Sequence, residues 1–388
     1  MKYFVIAGEA SGDLHASHLM DAIRLEDSGA EIRYWYRPDL AYMGFIPVLM
    51  HLRAILHGMK ECRGAIRDFR PDRLILVDYP GFNLSMAAWF CHNFVEQRKA
   101  LNSATSPKIV YYIPPKVWAW KEGRVAKIKK YVDKVLSILP FEVEWYEGRH
   151  GYHVDYVGNP TFDEVSNFRK TLAKDEIEQW RRSLGLGEMP VLALMPGSRR
   201  EEIERNLPLM LRAAREVKGN VQYAVASAPD IPQQLYNEVI ARTFGQEGDM
   251  EFAERTVLVP CQGSRSSFLL LHNAYAALVT SGTATLETAI MNVPQVVCYA
   301  MRCGKIVSWL RPWFLKVPYV SLVNLIAGTE VVPELVAGDF TVERLKRELE
   351  GILFDEDCRK RQMEGYAKVM SLLGEPGAPE RAAAMVIG

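Results

Sequence analysis

Two short stretches in the second half of the chain carry residue types suited to an anion. In "LMPGSRREEIERN" (194–206), Gly197 and Ser198 follow an apolar run and open a helical pattern. Such a turn aims free N–H groups and the positive end of a helix dipole at one spot. Arg199 adds a planar fork of donors that matches phosphate oxygens. In "LVTSGTATLETA" (278–289), Ser281, Gly282 and Thr283 form a second helix start, with Glu287 one turn along on the same side. A carboxylate there can accept both hydroxyls of a ribose while the helix start holds attached phosphates. Read alone, the stretch equally fits an ordinary Ser/Thr cap with an acid placed for the dipole. A nucleotide diphosphate needs about as many contacts as the two turns supply together.

The first half offers carboxylates instead. "FVIAGEASGD" (4–13) is a strand-to-helix turn shaped for a phosphate, yet it carries Glu9 and Asp13. "LILVDYPGFN" (74–83) ends a buried run with Asp78, followed by Pro80, Gly81 and Asn83. A carboxylate in that place either caps the next helix or does chemistry. In "YYIPPKVWAWKEGR" (111–124), Pro114 and Pro115 bar a helix until Val117. Trp118 and Trp120 beside that turn suit sugar rings or acyl chains, or belong to a core.

Other chemistries lack their motifs. There is no G-x-G-x-x-G, as a dinucleotide-dependent dehydrogenase would need, and no G-x-S-x-G. There is no H-E-x-x-H, and no carboxylate cluster has metal spacing, so neither metal nor cofactor is expected. The six cysteines form no C-x-x-C pair and are read as reduced, in a cytoplasmic protein. Lys plus Arg and Asp plus Glu both total 47, which gives no reason to expect nucleic acid. The start has no signal-peptide core, and no stretch reaches the ~20 apolar residues of a membrane span.

The elements that must position these residues follow from short apolar runs alternating with helical patterns. The runs are 3–8, 31–36, 73–79, 108–114, 134–140 and 153–158, then 191–197, 221–227, 256–260, 276–282 and 294–300. Most are apolar on successive residues, the mark of strands buried on both faces of a parallel sheet. The fold class is therefore α/β, with two doubly wound Rossmann-like domains facing a cleft and a helical C-terminal tail. The domains are read as 1–160 and 161–340, with the tail at 341–388. The tail either packs back on an N-terminal domain or serves that of a partner chain, as in a homodimer. Ligands in such sheets bind beyond the carboxyl ends of the strands, where all the residues above lie.

Two stretches bear on membranes. From Lys116 to Lys134 there are seven basic residues against two acidic, either a solvated face or an attraction to anionic lipid. In 42–59, Val48, Leu49, Leu52, Ile55, Leu56 and Met59 share one helical face, expected to be core or else an acyl-binding surface.

Read in order, "AGEASGD", "LAYMGF", "VDYPGFN", "YYIPPKVWAW", "ILPFE", "YVGNP", "LMPGSRREEI", "SGTATLE" and "VSLVNLIAG" closely resemble the lipid-A-disaccharide synthase family, from residue 7 to about 335. The resemblance implies the two-Rossmann GT-B fold. It implies an inverting, metal-independent transfer from UDP-2,3-diacylglucosamine to 2,3-diacylglucosamine 1-phosphate, in a cytoplasmic enzyme peripheral to the inner membrane. It assigns UDP to Gly197, Ser198, Arg199, Ser281, Gly282, Thr283, Glu287 and Asn324. It assigns the acceptor side to Gly8, Glu9, Ser11, Asp13, Asp78 and Asn83, with Trp118. Asp78 is then the base, Glu9 its alternative, and Arg199 the stabiliser of the leaving group. The carboxylates of the first turn would meet sugar hydroxyls rather than a diphosphate. The chain departs from the family in two places. Only Arg37–Asp39 stand between "EIRYWY" and "LAYMGF", where the family has a glycine-rich loop and a helix. Pro114 stands where the family commonly has a serine. Another UDP-sugar transferase of the same fold, or a non-catalytic lipid-binding relative with a shortened first domain, are the competing readings.

Overall fold

The structure, a computed structural model, describes residues 1–8, 10–40, 51–96, 106–244, 252, 254–301 and 317–388. Internal contacts divide the chain into two compact units, Met1–Pro160 with Glu375–Gly388, and Thr161–Gly374.

The first unit runs β1 (Lys2–Ala7), α1 (Ala10–Glu26), β2 (Glu31–Tyr36), α2 (Leu52–Phe69), β3 (Arg73–Val77), α3 (Pro80–Phe90), β4 (Lys108–Tyr112), α4 (Val125–Tyr131), β5 (Lys134–Ser137), α5 (Pro140–His150) and β6 (Asp155–Tyr156). Its strands lie in the order β2-β1-β3-β4-β5-β6, all parallel. The near-continuous apolar runs have the expected cause. Phe4, Ile6, Leu74 and Leu76 point into one buried layer, and Tyr3, Val5, Ala7, Ile75 and Val77 into the other. Because β2 and β3 flank β1, the chain reverses its direction of winding there. The carboxyl ends of β1 and β3 therefore open a crevice at that switch.

The second unit runs α6 (Pro160–Thr171), α7 (Lys174–Ser183), β7 (Val191–Met195), α8 (Arg200–Glu216), β8 (Gln222–Ser227), α9 (Gln233–Phe244), β9 (Thr256–Pro260), α10 (Ser264–Asn273), β10 (Ala274–Thr280), α11 (Thr283–Ile290), β11 (Gln295–Tyr299), α12 (Leu322–Ala327), β12 (Glu334–Val336), α13 (Val342–Phe354) and α14 (Glu356–Leu373). Its parallel order is β12-β11-β10-β7-β8-β9, with the switch between β7 and β10. The runs read from the sequence omit β12, whose three residues are too few to show a period.

The tail that the sequence treats as one piece divides between the units. Leu345, Leu349 and Ile352 of α13 join the apolar face of α8 in the second core. Gln362 of α14 exchanges hydrogen bonds with the backbone of Gln295 at the start of β11. The last helix, α15 (Ala378–Ile387), belongs to the first unit, where Ala382, Ala383 and Val386 pack with α1 residues Ala16, Leu19 and Ile23. Cations cap its carbonyl end. Lys134 Nζ donates to Met385 O (3.1 Å) and Arg73 Nε to Val386 O (3.0 Å). Lys134 is thus spent inside the fold, whereas Lys121, Lys127, Lys129 and Lys130 are exposed. On α2, Leu52 and Leu56 are 43% and 56% exposed, so this part of the apolar face is not core; Val48 and Leu49 lie outside the described residues.

Arg381 ties the stretch before Pro160 to the stretch after Gly374. It donates to Val157 O, Pro376 O and Glu375 O at 2.8–2.9 Å, and its guanidinium fills the space a side chain at Gly158 would need. We expect Arg381→Ala to lower unfolding free energy by about 2–4 kcal/mol, since bonds from a charged donor contribute about 1.5–3 kcal/mol each and are not additive. Urea unfolding followed by circular dichroism measures it; a loss below about 0.5 kcal/mol, the size of an ordinary surface substitution, would show the tie to be incidental.

Candidate functional site

The register Met195↔Val279 brings the ends of β7 and β10 side by side. Both anion-suited turns then open into one cavity of about 380 Å³ in the second unit. Gly197, Ser198, Arg199, Ser281, Gly282, Thr283 and Glu287 all line it. Beneath it, a residue that sequence reasoning passed over joins three strand ends. Asn206 on α8 is buried; its Nδ2 donates to Pro196 O (3.0 Å) and Thr280 Oγ1 (2.9 Å), and its Oδ1 accepts from Ala300 N (2.8 Å). A signal for it existed. Asn206 interrupts the apolar stripe Ile203, Leu207, Met210 at helical spacing, where a polar residue is costly unless fully bonded.

Each turn is built for close approach. Gly197 has φ +117°, and a Cβ there would stand 2.5 Å from Glu202 Oε2. Gly282, at the N-cap of α11, has φ +153° and brings no capping side chain, and the residues that open that helix, Thr283 and Ala284, line the cavity. Ser281 Oγ donates to Val320 O (3.0 Å). Half-buried Glu287 sits in the cavity wall; burial, with Glu164 nearby, pushes its carboxyl up to about 7.

Asn324 is not among the lining residues. Its Nδ2 donates to Val332 O and Glu334 Oε1, and its Oδ1 accepts from Val331 N and Val332 N, which uses every site on the amide. Glu334 in turn accepts from Val320 N and Ser321 N, the segment that receives the Ser281 hydroxyl. Asn324 therefore reaches the cavity only through that chain of contacts.

In the first unit the turn after β3 is strained. Asp78 and Tyr79 are consecutive non-glycine residues at φ +45° and +47°. Such backbone persists only where neighbours over-determine it. Where β3 gives way to the turn, Asn83 Nδ2 donates to the carbonyls of Val77 and Asp78 (3.1 and 2.7 Å). Tyr111 Oη adds a bond to Asp78 O (2.7 Å). Asn83 is fully buried, so it shapes the turn rather than presenting an amide to a ligand. Gly8, just after β1, lies under the Tyr79 ring, which a Cβ there would strike. Tyr79 stacks on Phe82, and Phe82 on Trp35 of β2. The Asp78 carboxyl is raised by burial, with Lys116 and the Tyr79 amide pulling it the other way.

The remaining expected residues separate. Asp13 accepts from Tyr34 Oη of β2 (2.5 Å), a partner that sequence reasoning missed. Glu9 lies outside the described residues, and of Ser11 only its place in α1 is described. Trp118 is buried, edge-on to Phe141, and donates to Glu142 Oε1 (2.7 Å); it is core, not a platform. Burial pushes Glu142 up to about 7, opposed by its bonds from Ser137 and Trp118. Trp120, by contrast, is 55% exposed, with Lys121 and Arg124 over its ring.

A profile of the lipid-A-disaccharide synthetase family matches residues 3–386. The chain belongs to this family. The lipid-A-disaccharide synthase of Myxococcus xanthus is 36% identical over 405 aligned residues, covering 100% of this chain and 97% of that one. That of Syntrophus aciditrophicus is 34% identical over 401, covering 99% and 96%. Among solved structures, S. aureus MnaA with UDP has a TM-score of 0.64 at 13% identity, covering 98% of this chain and 94% of that one. At that identity the likeness is of fold, and the fold is GT-B-like. As a lipid-A-disaccharide synthetase family member, the chain is a hexosyltransferase of lipid A biosynthesis. No helix among the described residues is long and apolar enough to cross a membrane.

The raised Glu287 carboxyl has a pH consequence. An acid held above its unfolded value lets the folded state bind the extra proton between about 4.5 and 7, so stability falls as pH rises through that window. Glu287→Gln removes the penalty. We expect the variant to match the unaltered chain near pH 4 and to exceed it by about 1–3 kcal/mol at pH 8 in urea unfolding. Equal stability at both values would show that the carboxyl ionises freely.

Proposed function

We propose that the chain transfers 2,3-diacylglucosamine from its UDP derivative to 2,3-diacylglucosamine 1-phosphate, giving the β-1′,6-linked disaccharide 1-phosphate and UDP. The observation that carries this reading is the meeting of two helix starts, Arg199 and Glu287 around one cavity in a chain of this family. The acceptor's 6-oxygen forms the new bond to the donor's anomeric carbon. The bond from that carbon to the diphosphate breaks, and UDP departs with the electron pair. Arg199 and the N–H groups at Ser198 and Thr283 stabilise the charge that develops on the diphosphate. Glu287 accepts from the ribose hydroxyls.

The acceptor half of the reaction is assigned to the first unit. Asp78 takes the proton of the 6-hydroxyl, and its burial-raised carboxyl suits a base. Glu9 remains the alternative. Gly8, Ser11 and Asp13 supply the acceptor's surroundings, while Asn83 and Trp118 support them from the core. Exposed Leu52 and Leu56, exposed Trp120 and the lysines of α4 support an inner-membrane surface as the place of work.

Purified protein mixed with both lipid substrates should release UDP; none released would overturn the reading. Asp78→Asn preserves a residue tolerant of positive φ but cannot take a proton. We expect it to keep its thermal midpoint and to lose at least ~100-fold in turnover. An active Asn variant would move the role to Glu9. Arg199→Ala should cost about 2–4 kcal/mol in the transition state and weaken UDP binding. Unchanged kinetics and affinity would remove Arg199 from the site.

A further inference from the structure

The start of α8 is electrostatically unusual. Its N-cap is Arg199 and its first residue Arg200, both cations at the positive end of the helix dipole, and Arg199 makes no side-chain cap bond. The capping duty falls to Glu202, three residues along. Its Oε2 accepts from Ser198 N (3.1 Å), and its Oε1 lies 3.7 Å from Arg199 Nη1. The Glu202 side chain is only 17% exposed and lines the same cavity as Ser281, Thr283 and Glu287. The open face of Gly197 belongs to it as well, since any Cβ there would strike Glu202 at both Oε2 and Cβ.

We propose that the Glu202 carboxylate is an internal anion seated where the nucleotide's diphosphate binds, and that nucleotide binding displaces it. This rests on the nucleotide reading of the cavity. A single N–H proton at Ser198 serves one strong acceptor, and Glu202 occupies it; Arg199, with five N–H donors, can turn from Glu202 to phosphate oxygens. While Glu202 holds them, the seat is formed and the charge of Arg199 is countered at the helix start, Arg200 being paired separately with Glu204. A diphosphate must take over those donors, and the displaced like charge stays close to it. The device sets affinity below what the donors alone would give, so UDP leaves after transfer.

Glu202→Gln removes the charge and keeps an acceptor for Ser198. Binding of UDP and of uridine, which has no phosphate, is measured by calorimetry for both proteins. We expect UDP to bind the variant ~10-fold more tightly at low salt, the scale of one like charge a few ångströms away at intermediate dielectric. The gap should narrow as salt rises, and uridine should bind both alike. Glu202→Ala, which also removes the acceptor, should still bind UDP more tightly than the unaltered chain. If both variants bind UDP equally or more weakly while uridine binding is kept, Glu202 only positions the turn and the proposal falls. If the unaltered chain binds neither UDP nor uridine, the nucleotide reading fails and takes the proposal with it.

Discussion

The pairing of β7 with β10, which have β8 and β9 between them in the chain, is the constraint on which the candidate nucleotide site depends. Each turn alone is a single helix start with one set of free N–H groups. Parallel pairing with Met195 opposite Val279 puts both starts at the carboxyl end of the sheet's two central strands. Helices leaving adjacent strands toward opposite faces open a crevice only at such a reversal of winding. Asn206 secures the arrangement from below, because it bonds to the ends of β7 and β10 and to the end of β11 at once. The same topology recurs at β1 and β3 in the first unit, where Gly8 and Asp78 emerge.

Both sites are held at a cost to stability. Asp78 and Tyr79 occupy left-handed backbone without glycine, which costs of order 1–3 kcal/mol per residue. Asn83 and Tyr111 offset part of it by bonding the carbonyls at the turn. Glu142 is a buried carboxyl and Glu287 a half-buried one, each raised by burial. A sequence selected for stability alone would place apolar residues there. Such groups concentrate at functional sites because poised acids and fixed directions require them.

Charge in the first unit serves two purposes that look alike in composition. The basic stretch 116–134 reads as a single block. In three dimensions Lys134 caps α15, while Lys121, Lys127, Lys129 and Lys130 stay at the surface, where Lys129 donates to His150 O. Apolar residues divide similarly. Trp118 is buried and bonded to Glu142, while Trp120, two residues on, is exposed beneath Lys121.

The sequence by itself determined the class of fold, because strands buried on both faces must be apolar at successive positions and cannot be mistaken for alternating ones. It located both glycine turns at helix starts, because a Gly beside Ser or Thr where an apolar run gives way to a helical pattern has a local physical meaning that needs no neighbour. It pointed to Asp78 for the same reason, a carboxylate where an apolar run gives out. Tertiary structure alone decided which side chains are free to act. Asn83, Trp118 and Asn324 have the right chemistry on paper, yet each is buried and spends its side-chain N–H donors inside the fold. Tyr34, Asn206 and Glu202 were silent for the converse reason. Their roles come from strand register, strand order and a glycine's missing Cβ, none of which is written in residue type or spacing.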